Sequence, residues 1–297
     1  MKISTQDAQW MDYPFTNPQK ILYPVIKLTK QNLAQYYHRI ANQMLPYVVN
    51  RPLTLVRCPQ GQGQKCFYQK HKNQIDLPGL YTINIKEKMT SDSYFYIKNE
   101  EGLMALVQLD VLEIHLWGCH IKNIEKPDMI TFDLDPGEEV EWKTVVETAF
   151  FIKENLEKIN LTSFVKTTGG KGLHVVLPIK PQYSWEQVEV FTKTFVDYLV
   201  SLRPHLYIAT MRKSKRRGKI FIDYLRNQRG STAVAVYSTR AKENATISTP
   251  LTWDELSFKI NADTFNVINI FKRLDKIKQH PWEGFLTIHQ SLKFPKR

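Results

Sequence analysis

Two aspartates lie two positions apart in "MITFDLDPGEE", residues 129–139. Phe132 and Leu134 alternate with them, so an extended backbone puts Asp133 and Asp135 on one face and the apolar pair on the other. Two carboxylates that close cannot both stay ionised without a cation. A divalent ion resolves the conflict, and hard oxygen donors of this kind suit Mg²⁺ or Mn²⁺. Pro136 and Gly137 end the strand and leave the acids at its open edge, where a substrate can reach them. Asp-Pro-Gly is also common turn chemistry, so a surface turn stands as the other reading. A phosphatase of the Asp-x-Asp-x-Thr kind is excluded, because Gly137 occupies the Thr position.

A second constellation is "KTTGGKGLHVVLP", residues 166–178. Its glycines let backbone N–H groups turn toward an anion, Thr168 offers a hydroxyl and Lys171 a charge. His174 projects from the following strand together with Val176. The spacing is not that of a Walker A loop, which needs Gly-Lys followed by Ser or Thr. Phosphate binding and a plain glycine hairpin both remain open. In "KIFIDYLRNQRGSTAVAVYSTRA", residues 219–241, Asp223 sits in an apolar strand and needs a partner or a metal. It is either a third carboxylate of a two-metal site or half of a structural Asp–Arg pair. Arg226, Arg229 and Arg240 follow it, and guanidinium forks match phosphate oxygens. His115 shares a strand face with Glu113 in "VLEIHLWG"; a lone strand histidine is more often structural. Toward the N-terminus, Lys20 and Lys30 form a basic patch with Asn17, Arg51, Arg57 and Lys70, interleaved with Phe67 and Tyr68. Charge with aromatics is how unpaired nucleic acid is held, because phosphates pair and bases stack.

These residues need elements to position them. Thr29 is a plausible N-cap for a helix ending at Met44, before Pro46. "RPLTLVRCP" and "KCFYQKH" form a hairpin around "QGQGQ". "VLEIHLWG", "MITFDLD", "SFVKTT", "LHVVLPI" and "KIFIDYL" are strands, and "WKTVVETAFFIKENLEKIN" and "WEQVEVFTKTFVDYLVSLR" are amphipathic helices. Hairpins mixed with strand–helix alternation give an α+β or mixed α/β class with more than one sheet. Across 297 residues there is no repeat, low-complexity tract or Gly/Ser linker, and residues 1–297 read as a single domain. The formal net charge of +12 points to a polyanionic partner, nucleic acid first. Cys58, Cys66 and Cys119 are odd in number and lack CxxC spacing, so a disulfide framework is not expected and a reducing cytoplasm fits. The opening "MKISTQDAQWMDYPF" has no apolar signal-peptide core, and no run reaches the ~18 apolar residues of a membrane span.

Taken in order, "RPLTLVRCP", "FYQK", "VLEIHLW", "FDLDPG", "TTGGKGLHVVLPI" and "DYLRNQRGSTAVAVYSTRA" resemble the polymerase domain of bacterial ligase D, of the archaeo-eukaryotic primase superfamily. The likeness runs from "TNPQKILYP" to "YSTRA", most of the chain. It implies a bilobed fold, an RRM-like catalytic sheet packed on an N-terminal α/β lobe. Asp133, Asp135 and Asp223 match catalytic acids that hold two ions, Mn²⁺ in preference to Mg²⁺. Thr168 and His174 match groups that hold the incoming triphosphate, with Lys171 between them; His115 and Arg240 match further nucleotide-site residues, with Arg226 beside them. Asn17, Lys20 and Lys30 match a pocket for the 5′-phosphate across a DNA gap or break, and Phe67 and Tyr68 a template-side aromatic pair next to Lys70. The implied activity is metal-dependent extension of primers on gapped or broken DNA from NTPs or dNTPs, with ribonucleotides favoured, in end joining with Ku and a DNA ligase. Thr168 stands where Ser is usual, Tyr68 where Phe is usual, and Val236 where Pro is common. De novo priming and a non-catalytic module that bridges DNA ends are the competing readings.

Overall fold

The described residues of the computed structural model are 12–72, 74–87 and 90–293; residues 1–11, which include most of the stretch read for a signal peptide, lie outside them. In chain order the N-terminal half contains β1 (Ile21–Tyr23), β2 (Leu28–Thr29), α1 (Lys30–Val48), β3 (Leu53–Arg57), β4 (Phe67–Gln69), β5 (Leu80–Lys86), β6 (Ser91–Ile97), α2 (Glu100–Gln108) and β7 (Val111–Trp117). There follow β8 (Met129–Pro136), α3 (Trp142–Glu157), β9 (Phe164–Thr167), β10 (Leu173–Pro178), α4 (Trp185–Leu202), β11 (Tyr207–Ile208), β12 (Ile220–Asp223), β13 (Thr232–Val234), β14 (Pro250–Leu251) and α5 (Ile270–Leu274). The mixed α/β class expected from the sequence holds.

Ile130, Phe132 and Leu134 of β8 are fully buried, as the alternation around the aspartates requires. Phe132 meets Phe195 of α4 with ring centroids 5.3 Å apart, so a helix covers the face opposite the acids. The larger sheet runs β11-β12-β8-β10-β9-β14, and β8 is antiparallel to both β12 and β10. β8 ends at Pro136, as the Pro-Gly pair requires, so the acids lie near the end of an interior strand whose two flanks are occupied by hydrogen-bonded neighbours. A second sheet, β13-β7-β3-β4, carries His115 and the hairpin, and β5–β6 forms a separate two-stranded ribbon.

Thr29 caps α1 through a capping box with Asn32. The helix nevertheless continues past Met44 and through Pro46 to Val48. Proline forfeits one hydrogen bond in the last turn, but that turn is held by burial of Val48 and by Tyr47 packing on Trp282 and Phe285.

The cysteine expectation fails at one place. Cys58 and Cys66 form a disulfide with Cα atoms 4.3 Å apart. The register of β3 and β4 pairs Arg57 with Phe67, so the next positions outward, Cys58 and Cys66, face each other across the mouth of the loop. Odd count and missing CxxC spacing say nothing about that register. Cys119 is free and buried. Among the described residues, no helix is long and apolar enough to cross a membrane.

Candidate active site

Register brings the acids together. Asp223 of β12 lies directly across from Asp133 of β8, and His174 of β10 lies across from Asp133 on the other side. His174 Nε2 is 3.4 Å from Asp133 Oδ1. Asp135, two residues on, shares Asp133's face at the end of β8.

Guanidinium groups compensate these carboxylates. Arg226 Nε donates to Asp133 Oδ2 at 3.1 Å and is 3.3 Å from Asp223 Oδ2. Arg216 Nη1 donates to Asp135 Oδ2 at 2.8 Å. Burial pushes the Asp133 carboxyl up, but His174 and Arg226 outweigh it and hold the group well below the usual carboxylate range. Burial, and then the charge of Asp133, raises Asp135. Burial also raises Asp223, with Asp133 adding to the effect and Arg226 opposing it. Burial lowers His174 to about 4, with the charge of Lys166 adding to the effect. Lys166, its cross-strand neighbour, is itself buried and held well below the ordinary lysine value by that burial.

The loop between β9 and β10 is built around Thr168. Its Oγ1 accepts from Gly170 N at 3.1 Å and Gly172 N at 3.2 Å, and donates to Gly172 O at 3.0 Å. A Cβ on Gly172 would lie 1.9 Å from Leu134 O, so only glycine lets this loop close onto β8. Arg240 Nη1 donates to Thr168 O at 2.5 Å, which ties the loop to the segment after β13. His115, Asp133, Asp135, Thr168, Lys171, His174, Arg226 and Arg240 all line one cavity of about 270 Å³. Asp223 is not among its lining residues; it joins the group through its register with Asp133. A neighbouring cavity of about 680 Å³ shares Asp135 and Lys171 and is walled by Lys213, Arg216 and Arg217.

The three carboxylates suit a hard divalent ion: the donors are all oxygen, and burial, with the charge of Asp133 adding to it, raises two of them, a cost that a bound cation would relieve. Among the described residues no three metal-type side chains surround a common point, and Arg226 and Arg216 engage the carboxylates instead.

The N-terminal residues form a second, separate group. Lys20 Nζ is 2.6 Å from Asp110 Oδ2, and Lys30 Nζ is 3.0 Å from Asp110 Oδ1. Lys30 is buried and also donates to Gln108 O at 3.0 Å, while exposed Asn17 accepts from Lys20 N through its backbone carbonyl at 3.0 Å. Phe67 and Tyr68 stand exposed at 42% and 70%, with exposed Lys70 beside them. Tyr68 meets His115 edge-on, ring centroids 6.4 Å apart, so Tyr68 borders the cavity, whereas the Phe67 ring lies 5.5 Å from the Arg57 guanidinium.

Two arginines are taken from the phosphate reading. Arg229 is held by Glu125 at 2.8 Å and Glu87 at 3.2 Å, and Arg51 is held by Asp128 at 2.6 Å. Three residues of the site were not singled out from the sequence. Asp110, at the turn into β7, lies far along the chain from both lysines it joins. Arg216 was visible only as part of the basic run "RKSKRRGK". Glu113 was visible only as the neighbour of His115, although it lies 2.8 Å from that histidine and 3.0 Å from Arg240.

Comparison with known proteins identifies the family and the fold. The family described as LigD, primase-polymerase domain, matches residues 29–282. The multifunctional non-homologous end joining protein LigD of Pseudomonas aeruginosa is 33% identical over 278 residues, 93% of this chain and 33% of that protein. The bifunctional LigD of Bacillus subtilis is 29% identical over 265 residues, 88% of this chain and 42% of that protein. The chain therefore spans about a third to two fifths of the length of these curated relatives. Among solved structures, the polymerase domain of Mycobacterium tuberculosis ligase D in complex with DNA superposes with a TM-score of 0.85 at 29% identity, covering 92% of this chain and 97% of that one. This chain belongs to the LigD primase-polymerase domain family.

Proposed function

We propose that this protein is a metal-dependent, template-directed nucleotidyltransferase that extends primers and fills short gaps at 5′-phosphorylated DNA ends in non-homologous end joining. The observation that carries the proposal is the alignment of Asp133, Asp135 and Asp223 on two paired strands beside a cavity lined by Lys171, His174 and Arg240. Asp133, Asp135 and Asp223 would hold two divalent ions, Mn²⁺ or Mg²⁺, which lower the pKa of a primer 3′-OH and offset charge on a triphosphate. The chain's own groups do the rest. Lys171 and Arg240 neutralise phosphate oxygens, and His115, Thr168 and His174 orient the nucleotide against them. Arg226 keeps the Asp133 carboxyl ionised and aligned before a ligand arrives.

Lys20 and Lys30, which share the carboxylate of Asp110, would take a 5′-phosphate together with Asn17 by exchanging that partner for the phosphate. Phe67 and Tyr68 give a stacking surface for a template base beside Lys70. Ribonucleotides as preferred substrates, and Ku and a DNA ligase as partners, complete the proposal.

The test is primer extension on a gapped duplex bearing a 5′-phosphate or a 5′-hydroxyl, with Mn²⁺ and either NTPs or dNTPs. Extension stimulated by the phosphate is expected, and Asp133→Ala should abolish it while leaving DNA binding nearly intact. Tight binding to the phosphorylated gap without any extension would leave an end-bridging module. Synthesis without a primer would indicate a primase.

A further inference from the structure

Glu113 lies behind the cavity wall rather than in it, with its side chain 9% exposed. Three groups converge on its carboxylate. His115 Nε2 is 2.8 Å from Oε2, Arg240 Nε is 3.0 Å from the same oxygen, and Ala241 N donates to Oε1 at 3.0 Å. His115 belongs to β7, as Glu113 does, whereas Arg240 comes from the segment after β13 and reaches on to Thr168 O. One carboxylate thus joins the strand that presents His115 to the segment that presents Arg240. An ionised carboxylate only accepts hydrogen bonds, so the proton on His115 sits on Nε2 and Nδ1 is left as an acceptor. Burial would raise the Glu113 carboxyl, but His115 and Arg240 outweigh it and bring the group down to about 2, so it is ionised at neutral pH.

We infer that Glu113 is a positioning residue for nucleotide binding, locking His115 and Arg240 into one arrangement on the cavity wall. This rests on the polymerase reading and deepens it. Glu113 contacts no substrate; it acts through the two side chains it holds. Without its charge, Arg240 loses its only carboxylate partner among the described residues and His115 loses its fixed tautomer.

The test uses the full chain, with ATP and Mn²⁺ opposite a templating dT in a gapped duplex. In Glu113→Gln the affinity for ATP is expected to fall at least about tenfold, equivalent to about 1.4 kcal/mol. KM for ATP should rise with it and the melting temperature should fall, because an acid brought down to about 2 contributes stability when ionised, while affinity for the gapped duplex stays near wild type. In a His115→Ala/Arg240→Ala background, adding Glu113→Gln should cost less than about twofold more, because the residues it serves are gone. Unchanged ATP affinity in Glu113→Gln overturns the inference. So does a parallel loss of ATP and DNA affinity, and so does full additivity in the triple variant. A wild-type chain that binds no ATP would instead sink the polymerase reading itself.

Discussion

At Asp223, burial and the charge of Asp133 lift the carboxyl above its ordinary pKa against the pull of Arg226. An acid whose folded pKa is raised is ionised at neutral pH at the expense of the fold, and that cost disappears as pH falls and the proton returns. Asp223→Asn removes the charge and keeps an oxygen for the Leu225 N–H that donates to Oδ1 at 2.9 Å. Without metal, this variant is expected to melt a few degrees above wild type at neutral pH, with the gap closing toward acid, and to lose extension. Melting curves at several pH values check it; a variant less stable than wild type at neutral pH would show that Arg226 already compensates the acid fully. The Asp133–Asp135 pair was readable because the residues at i and i+2 are related by local geometry alone. Asp223 could be suspected but not placed, since its neighbour is set by the register of β12 on β8. Arg229 could not be told from Arg226 for the same reason: Glu87 and Glu125, which claim it, are distant in sequence.

Among the elements, the β9–β10 turn has the tightest steric demand in the site. Gly172 brings its backbone so close to β8 that a methyl group would sit 1.9 Å from Leu134 O. Leu134 and Leu173 are paired there, so neither strand can yield without breaking the ladder that aligns His174 with Asp133. Gly172→Ala is expected to cost about 1–3 kcal/mol as overpacking and to weaken nucleotide binding along with stability. At Gly170 an added Cβ meets only side-chain atoms, Thr168 Oγ1 at 3.3 Å and Arg240 Nη1 at 3.4 Å, so Gly170→Ala should fold nearly as well as wild type. Equal melting temperatures for the two variants would rule out the close approach at Gly172. The element boundaries themselves were largely visible: Thr29 announced α1, and alternation announced β7 and β8. The end of α1 was not, because tertiary packing of Tyr47 and Val48 outweighs the local preference against Pro46. The Cys58–Cys66 bond was hidden for a related reason, since it depends on which residues of a hairpin face each other.

For the whole molecule, the formal charge of +12 already subtracts the acids, so the pairing of Lys20, Lys30, Arg51 and Arg229 with acids of the chain moves the surplus onto other Lys and Arg side chains rather than reducing it. Sequence periodicity did not reveal that the C-terminal segment returns to join β9 of the larger sheet, α1 and the segment after β13. Trp282 Nε1 donates to Val165 O of β9 at 2.8 Å, while His280 sits between Tyr47 of α1 and Tyr237 after β13, with ring nitrogens 3.0 Å from each hydroxyl. Trp282 N donates to His280 Nδ1 at 3.0 Å, so Nδ1 is an acceptor and Nε2 carries the proton. Protonation would turn Nδ1 into a donor facing another donor. Burial, with the charge of Arg273 adding to it, accordingly lowers His280 from 6.5 to about 4. The sign follows: a depressed folded pKa contributes stability that is complete above 6.5 and is lost as pH falls toward 4, because the unfolded chain takes up the proton first. The melting temperature is therefore expected to fall across that window, and His280→Gln should flatten this part of the profile at a lower starting stability. Differential scanning calorimetry of both proteins checks it. A profile equally steep in His280→Gln would place the acid sensitivity elsewhere and remove this junction as the pH-sensitive link between α1 and the segment after β13.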